Sequence, residues 1–249
     1  MKNSVALEMR KDNIAVVTMQ DTEGRNVFSD YLIHGLIDAL DELENKHKPS
    51  VMILRGLQDV FSGGAEKQTL IGLSEGIIHV KDLLISERLI HAPFPIIAAM
   101  EGHAVGGGLI MAVCCDIVIA AMESRYGAVF MNMGFTPGMG CTGLLQGLVG
   151  AYVANEMMFT GKRFKGRELA EKNTNINYIL PKNEVMPKAV DLALQIAEKN
   201  IESVYLLKYA LSAEKKKELI DARVHEDFMH RLSFGFAETK ETIKNFYAE

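Results

Sequence analysis

The sequence predicts an α/β protein with a helical C-terminal part, and two patterns carry this prediction. Through about residue 185, short apolar runs typical of buried strands alternate with glycine-rich turns and amphipathic stretches. Beyond that point the pattern is helical, over residues 185–199, 203–211, 213–231 and 238–247. We therefore expect a core of residues 1–185, followed by a helical region of residues 186–249.

The composition is that of a globular protein. Of 249 residues, 48% are hydrophobic and 24% charged, which excludes a disordered chain. The net charge of −5, without a basic stripe, argues against nucleic-acid binding. Cys114, Cys115 and Cys141 form neither a disulfide framework nor a zinc spacing, so we expect a reducing cytoplasm. The apolar stretch 102–122 contains charged Asp116 and three consecutive glycines, so we expect a core element and no membrane span.

The N-terminal elements follow from the apolar runs in order. Runs at Val5–Met9 and 14–20, separated by polar residues, predict a hairpin. Residues 29–46 carry apolar side chains at spacings of three and four, which predicts an amphipathic helix. Brief apolar runs at 51–56 and 95–100 predict strands buried on both faces.

The next elements surround two glycine-rich motifs. The stretch 61–78 begins with FSGGAE and is expected to be a mobile segment. The second motif, GHAVGGG at 102–108, is expected to open a helix at 109–114, followed by a strand at 116–120. The simplest interpretation of the glycines is tight turns. The functional interpretation is that the amides of Gly63 and Gly107 point into one cavity and bind a developing oxyanion, since unpaired N–H groups at the start of a helix favour negative charge.

A third glycine motif, GMGCTG at 138–143, matches the dinucleotide-binding pattern G-x-G-x-x-G. That function requires a strand directly before the motif and an acidic residue at the end of a second strand. Here Thr136 and Pro137 precede the motif, and the region 158–168 is charged and turn-like. We expect a loop that leads into a helix, without NAD.

The order of these motifs resembles the crotonase (enoyl-CoA hydratase/isomerase) superfamily along nearly the whole chain. The resemblance rests on FSGGAE, on the strand–GHAVGGG–helix–CCDIVIA series, and on Tyr126-Gly127 followed by GFTPGMG. It implies a spiral of ββα units, assembled as a homotrimer or a dimer of trimers, that binds an acyl thioester. By this resemblance, the amides of Gly63 and Gly107 hold the thioester oxygen as it becomes an enolate.

Two departures from the family argue against hydration. Hydratases of the family have glutamates at the positions that are Ile110 and Phe130 in this sequence. Adding water to a double bond requires a base to activate the water and an acid to protonate carbon. Isoleucine and phenylalanine can do neither, so we do not expect a hydratase. These side chains are instead expected to line an apolar substrate pocket together with Met131, Met133 and Phe135.

A narrower resemblance is to the crotonase-like decarboxylases of polyketide β-branching, such as those of the bacillaene and mupirocin pathways. It rests on the runs FMNMGFTPGMG and MHRLSF. It implies a lyase that releases CO₂ from a 3-methylglutaconyl group on acyl carrier protein, with a lysine and a histidine as catalytic residues. The histidine position is His230. The lysine position is His79, with Lys81 two residues away, so either side chain could act.

The resemblance implies no metal and no cofactor beyond the phosphopantetheine of the carrier protein, or CoA, that bears the substrate. Two alternative functions remain open: an enoyl-thioester isomerase or hydratase, and a catalytically inactive scaffold that binds carrier protein. The basic residues Lys162, Arg163, Lys165 and Arg167 could dock an acidic carrier protein, or simply form a solvated turn.

Overall fold

The structure is a computed structural model that describes residues 4–77 and 84–246. Its strands are β1 Val5–Met9, β2 Ile14–Met19, β3 Val27–Phe28, β4 Val51–Arg55, β5 Val60–Ser62, β6 Gly64–Ala65, β7 Ile96–Met100, β8 His103–Val105, β9 Ile117–Ala121, β10 Arg125–Gly127, β11 Phe164–Lys165 and β12 Tyr178–Leu180. Its α-helices are α1 Asp30–Glu42, α2 Lys67–Ser74, α3 Ile85–His91, α4 Gly107–Val113, α5 Cys141–Val149, α6 Ala151–Thr160, α7 Gly166–Glu171, α8 Lys182–Ala197, α9 Ile201–Ser233 and α10 Ala237–Phe246.

The main sheet has six strands in the order β1-β2-β4-β7-β9-β12. β1 and β2 form the predicted antiparallel hairpin, with Val5 opposite Met19, and the remaining pairs are parallel. β4 and β7 have almost no solvent exposure, as their continuous apolar sequences predict. The predicted mixed α/β class is therefore confirmed.

The chain also forms a second, four-stranded sheet in the order β11-β10-β8-β5. β5 and β8 run parallel in it, and so do β8 and β10. β3 and β6 form a separate two-stranded pair. None of these short strands was predicted, because two or three residues are too few to show an alternating pattern.

The first predicted helix, expected over 29–46, is present at nearly the predicted bounds. α1 begins after Ser29, whose hydroxyl accepts a hydrogen bond from the Leu32 N–H at 3.3 Å. It continues as one π-helical turn over Leu43–His47 and ends at Lys48, which has a left-handed backbone conformation. The stretch 61–78, expected to be mobile, contains β5, β6 and α2 as far as residue 77, elements that the sequence did not predict.

The stretch 102–122 is a core element, as predicted. It is divided among β8, α4 and β9, and every residue of α4 is buried. Within residues 4–77 and 84–246, the structure contains no helix with the length and apolar character needed to span a bilayer.

The helical C-terminal region packs directly on the sheet. The predicted boundary at residue 185 lies inside α8, whose Val185, Ala189 and Ala193 are fully buried with apolar residues of the main sheet. The two predicted helices at 203–211 and 213–231 are one continuous helix, α9. The serine between them, Ser212, does not end the helix, because its hydroxyl donates to the Tyr209 carbonyl within the same helical turn.

Candidate active site

Two glycine loops meet in the structure because the strands before them are neighbours. β4 leads through β5 into the loop that contains Gly63, and β7 leads through β8 into the loop that contains Gly107. β4 pairs with β7 in the main sheet, and β5 pairs with β8 in the second sheet. The carboxyl ends of adjacent parallel strands lie at the same edge of a sheet, where α/β proteins commonly bind ligands. Both loops therefore line one cavity.

Only glycine fits at several positions of these loops. Gly64 and Gly106 have φ angles of 83° and 54°, a region that residues with a Cβ atom rarely adopt. A Cβ atom on Gly108 would lie 2.6 Å from the Ser62 carbonyl oxygen, so the start of α4 touches the first loop directly. A Cβ atom on Gly64 would lie 3.5 Å from the Gly107 nitrogen. The glycines thus allow two segments of backbone to approach each other closely.

The Gly107 amide is suited to bind a ligand oxygen. Gly107 is the first residue of α4, where an N–H group has no partner within the helix. Among the described residues, no acceptor forms a hydrogen bond with this N–H. Gly107 also lines the cavity, so its amide can meet negative charge there.

The Gly63 amide does not fit its predicted role. Gly63 lines the cavity, but its N–H donates to the Arg25 carbonyl at 3.1 Å. This bond holds the first glycine loop against the segment before β3. The N–H group of the next residue, Gly64, donates to the Ser62 hydroxyl oxygen at 3.2 Å. Arg25 lies 38 residues before Gly63 in sequence and outside any strand pattern, so this hydrogen bond could not be predicted from the glycine motif alone.

The cavity has a volume of about 160 Å³ and is predominantly apolar. Glycine backbone forms part of its surface, and large apolar side chains with two ionisable ones form most of the rest. Its side-chain lining comprises Val27, Phe28, Ala65, Leu70, Leu73, Val105, Val129, Phe130, Met133, Phe135, Met139, Arg163 and His230.

Three of the predicted pocket residues line this cavity, and two do not. Phe130, Met133 and Phe135 are in the lining, with Phe130 and Phe135 in edge-to-face contact at 6.0 Å between ring centroids. Ile110 is fully buried in the hydrophobic core and lies outside the lining. Met131 is 42% exposed and also lies outside it. The prediction was therefore wrong for Ile110 and Met131.

His230 lies on α9 and lines the same cavity as Gly107. Its Nε2 atom is 2.8 Å from the Thr136 carbonyl oxygen. A carbonyl can only accept, so Nε2 carries the hydrogen and Nδ1 of the neutral ring is left as an acceptor. Phe135 and Phe234 contact the imidazole at centroid distances of 6.5 and 5.3 Å. The ring is therefore fixed in one orientation.

Burial controls the protonation of His230. Desolvation is the largest effect and lowers the pKa of the imidazole below its ordinary value of 6.5. The carbonyls of Thr136 and Pro137 and the carboxylates of Glu226 and Asp227 act in the opposite direction, but they do not outweigh burial. Near neutral pH the ring is mainly uncharged, which suits an apolar cavity.

The third glycine motif leads into α5, as predicted. The N–H groups of Gly140 and Thr142 at the start of this helix donate to the carboxylate of Glu226, at 2.7 and 2.9 Å. In nucleotide-binding proteins, N–H groups at the start of a helix bind phosphate. Here the N–H groups at the start of α5 bind the carboxylate of Glu226.

His79 and Lys81, the candidates for the position of the family lysine, lie outside the described residues. His103, which precedes the second glycine loop, has a structural role. Its Nδ1 atom accepts a hydrogen bond from the Arg125 N–H at 2.9 Å and joins β8 to β10. Among the described residues, no group of three or more His, Cys, Asp or Glu side chains is arranged to hold a metal ion.

The basic residues at 162–167 differ among themselves in position. Arg163 lines the cavity, which the sequence pattern did not indicate. Lys162 forms ion pairs with Glu156 and Glu168 at 3.9 and 3.4 Å.

Sequence reasoning also missed Glu226, because a charged residue in a helix rich in charges is expected to face solvent.

Comparisons with known proteins agree with this geometry. A family model described as enoyl-CoA hydratase/isomerase matches residues 9–249. The bacillaene synthase decarboxylase PksI of Bacillus subtilis is 35% identical over 234 residues, which cover 94% of each chain.

Two solved structures superimpose on nearly the whole chain. One belongs to a dehydratase/decarboxylase enzyme couple involved in polyketide β-branching, with a TM-score of 0.95 and 34% identity over 99% of this chain and 100% of that one. The other is the ECH2 decarboxylase domain of CurF from Lyngbya majuscula, with a TM-score of 0.93 and 32% identity over the same shares. The predicted crotonase fold, and the prediction that the chain is an enzyme, are confirmed: the protein belongs to the enoyl-CoA hydratase/isomerase family.

Proposed function

We propose that the protein is a lyase that removes CO₂ from a 3-methylglutaconyl thioester on acyl carrier protein, as a step of polyketide β-branching. The observation that carries the proposal is the apolar cavity that joins the Gly107 amide to His230. The similarity to PksI, and to the decarboxylase structures, supports the same reaction. Phe130 lines the cavity at the position where hydratases of the family have a glutamate. Phenylalanine cannot act as the acid or the base that water addition requires.

The chemistry follows from where the charge goes. The bond between the carboxylate and the γ carbon breaks, and its electron pair moves through the double bond to the thioester oxygen, which gives a dienolate and CO₂. The Gly107 N–H, which has no acceptor among the described residues, donates to that oxygen. A donor of this kind is worth about 10²–10³ in rate. A proton then adds to carbon, so one proton is consumed for each CO₂ released. The conjugated thioester itself accepts the electrons, and the proposal therefore includes no cofactor beyond the phosphopantetheine that carries the substrate.

His230, as the imidazolium, is the proposed partner for the substrate carboxylate or for the proton transfer. In the neutral ring, Nδ1 can accept a hydrogen bond, whereas Nε2 is held by Thr136. As the imidazolium, the ring can donate from Nδ1 to the dienolate. His79 and Lys81 remain proposed partners in this step, on the resemblance alone.

The proposed partner is acyl carrier protein, reached through the basic residues at 162–167. Arg163 at the cavity lining can meet the phosphate of phosphopantetheine or the substrate carboxylate, because guanidinium groups pair well with both. Neutralising Arg163, Lys165 and Arg167 together is expected to raise KM for the carrier-bound substrate and to reduce its salt dependence. An unchanged KM at low salt would leave this surface without a docking role.

The proposed assembly is a homotrimer or a dimer of trimers, built through α9. This helix exposes a row of apolar side chains spaced by four residues, which is unfavourable in a monomer in water. The row consists of Ile220, Val224, Phe228 and Leu232, each more than half exposed. Replacing Val224 and Phe228 by glutamate is expected to give a monomer in light scattering. A wild-type monomer would contradict the proposal.

Intact-mass analysis tests the reaction directly. A carrier protein loaded with 3-methylglutaconyl is incubated with the enzyme, and loss of one CO₂ is the expected result. Gain of one water would identify a hydratase instead, and an unchanged mass would indicate an inactive carrier-binding scaffold. A second substrate without the carboxylate separates the remaining alternative, since only an isomerase would move its double bond.

A further inference from the structure

Three buried polar side chains follow one face of α9. Glu226, His230 and Ser233 are separated by four and three residues, a spacing that places side chains on the same face of a helix. All three are less than 10% exposed. Each contacts the segment 134–142, which contributes Phe135, Gly138 and Met139 to the cavity lining.

Glu226 makes the most extensive of these contacts. One carboxylate oxygen accepts from the Gly140 N–H at 2.7 Å, and the other accepts from the N–H and the hydroxyl of Thr142, both at 2.9 Å. Glu226 is only 2% exposed, and a carboxylate is costly to bury unless donors surround it. The bonds to α5 therefore determine where this part of α9 can lie.

His230 is located one helical turn beyond Glu226. A turn rises about 5.4 Å, and a helix is rigid over that distance, so a displacement at Glu226 moves His230 along with it. His230 in turn depends on its position, because its Nε2–H reaches the Thr136 carbonyl at 2.8 Å and its ring lines the cavity.

We propose that Glu226 is a positioning residue for His230: its bonds to the start of α5 fix α9 along the cavity and so hold the imidazole toward the substrate. The inference rests on the proposed function, since it assigns His230 to that reaction. Glu226 itself does not line the cavity and acts on the reacting atoms only by way of His230.

Asp227 provides a matched control. Both carboxylates raise the pKa of His230, but Asp227 pairs with Arg231 on the surface at 2.8 Å and makes no bond to α5. The other charged group of the described chain that lines the cavity with His230 is Arg163. Glu226→Gln and Asp227→Asn therefore remove similar charges near His230, while only the first replaces an oxygen that accepts from α5 by an NH₂ group, which cannot accept.

Steady-state kinetics of CO₂ release distinguishes the two variants. Glu226→Gln is expected to lower kcat about 10- to 100-fold with little change in KM, as misplacement of a catalytic group does. Asp227→Asn is expected to keep the wild-type kcat. A wild-type kcat in Glu226→Gln would overturn the proposal. Equal losses of kcat in both variants would also overturn it, since charge alone would then account for the effect.

A measurement without substrate keeps this proposal separate from the proposed reaction. Nitrogen NMR of the His230 ring reports the Nε2–H bond to Thr136, which is expected to weaken in Glu226→Gln and to persist in Asp227→Asn. An unchanged ring signal in Glu226→Gln would overturn the proposal even in an active enzyme. If Glu226→Gln does not fold, Thr142→Val, which removes one of the three donors, is expected to give a smaller loss in kcat. A wild-type kcat there would contradict the positioning role.

Discussion

The two sides of the cavity are built in different ways. On the glycine side, Gly63, Gly64 and Gly107 present backbone, and their positions follow from adjacent strands of two sheets. On the helical side, Phe135 and His230 present side chains, held by bonds between α9 and a segment 84–97 residues earlier in the chain. The first side positions a hydrogen-bond donor by steric necessity, whereas the second positions an ionisable group by long-range contacts.

This difference predicts which side tolerates change. A backbone N–H is lost only on substitution by proline, but a Cβ atom added at the same residue can displace it. A side chain can be replaced in place, and its neighbours largely remain. We therefore expect substitutions on the glycine side to have larger effects on rate than substitutions on the helical side.

The largest effect is expected for Gly107→Ala. The added Cβ atom would lie 2.5 Å from the Phe28 ring and 2.8 Å from the Met139 sulfur. Because Phe28 is only 2% exposed and has little room to move, we expect the loop to shift and the amide to move away from the thioester oxygen. The expected loss in kcat is about 10²–10³. Gly147→Ala is the control, because a Cβ atom there meets nothing within 4 Å and alanine favours the helix. A Gly107→Ala variant as active as Gly147→Ala would show that this amide does not contribute.

A smaller loss is expected for His230→Gln. Glutamine can retain a hydrogen bond to the Thr136 carbonyl but cannot exchange a proton with substrate. Acid–base assistance of this kind is worth about 10²–10⁴, and we expect the lower end because burial keeps the ring mainly neutral. Single-turnover CO₂ release measures the change. If the loss exceeds that of Gly107→Ala, the ranking of the two sides is reversed.

The smallest effect concerns stability and pH. Because the pKa of His230 is lowered in the folded protein, the unfolded chain takes up a proton on this residue before the folded one does as pH falls. Its contribution to stability is thus present above the ordinary pKa of 6.5 and is lost as pH falls through the folded value. A tenfold difference in proton affinity between the two states corresponds to about 1.4 kcal/mol. Urea unfolding at pH 7 and pH 5 is expected to show a smaller decline in His230→Gln than in the wild type. Parallel declines would exclude this contribution.

The sequence predicts the glycine side better than the helical side, because the glycine side depends on local patterns and the helical side on long-range contacts. The hairpin of β1 and β2, the buried strands β4 and β7, and the close approach of Gly107 follow from local patterns. The bond from Gly63 to Arg25 and the inward direction of Glu226 do not, because each depends on a partner that is distant in sequence. Ile110 illustrates the limit, since alignment with an active-site position does not establish that a side chain faces the cavity.

The polarisation of the substrate carbonyl provides the most direct test. A 3-methylcrotonyl thioester labelled with ¹³C at the carbonyl carbon has no carboxylate to lose, so it can be observed while bound. We expect its carbonyl resonance to move downfield on binding to the wild type, and to move much less on binding to Gly107→Ala. If the labelled thioester binds the wild type with the resonance of the free compound, no amide in this cavity donates to the thioester oxygen and the proposed catalysis is contradicted.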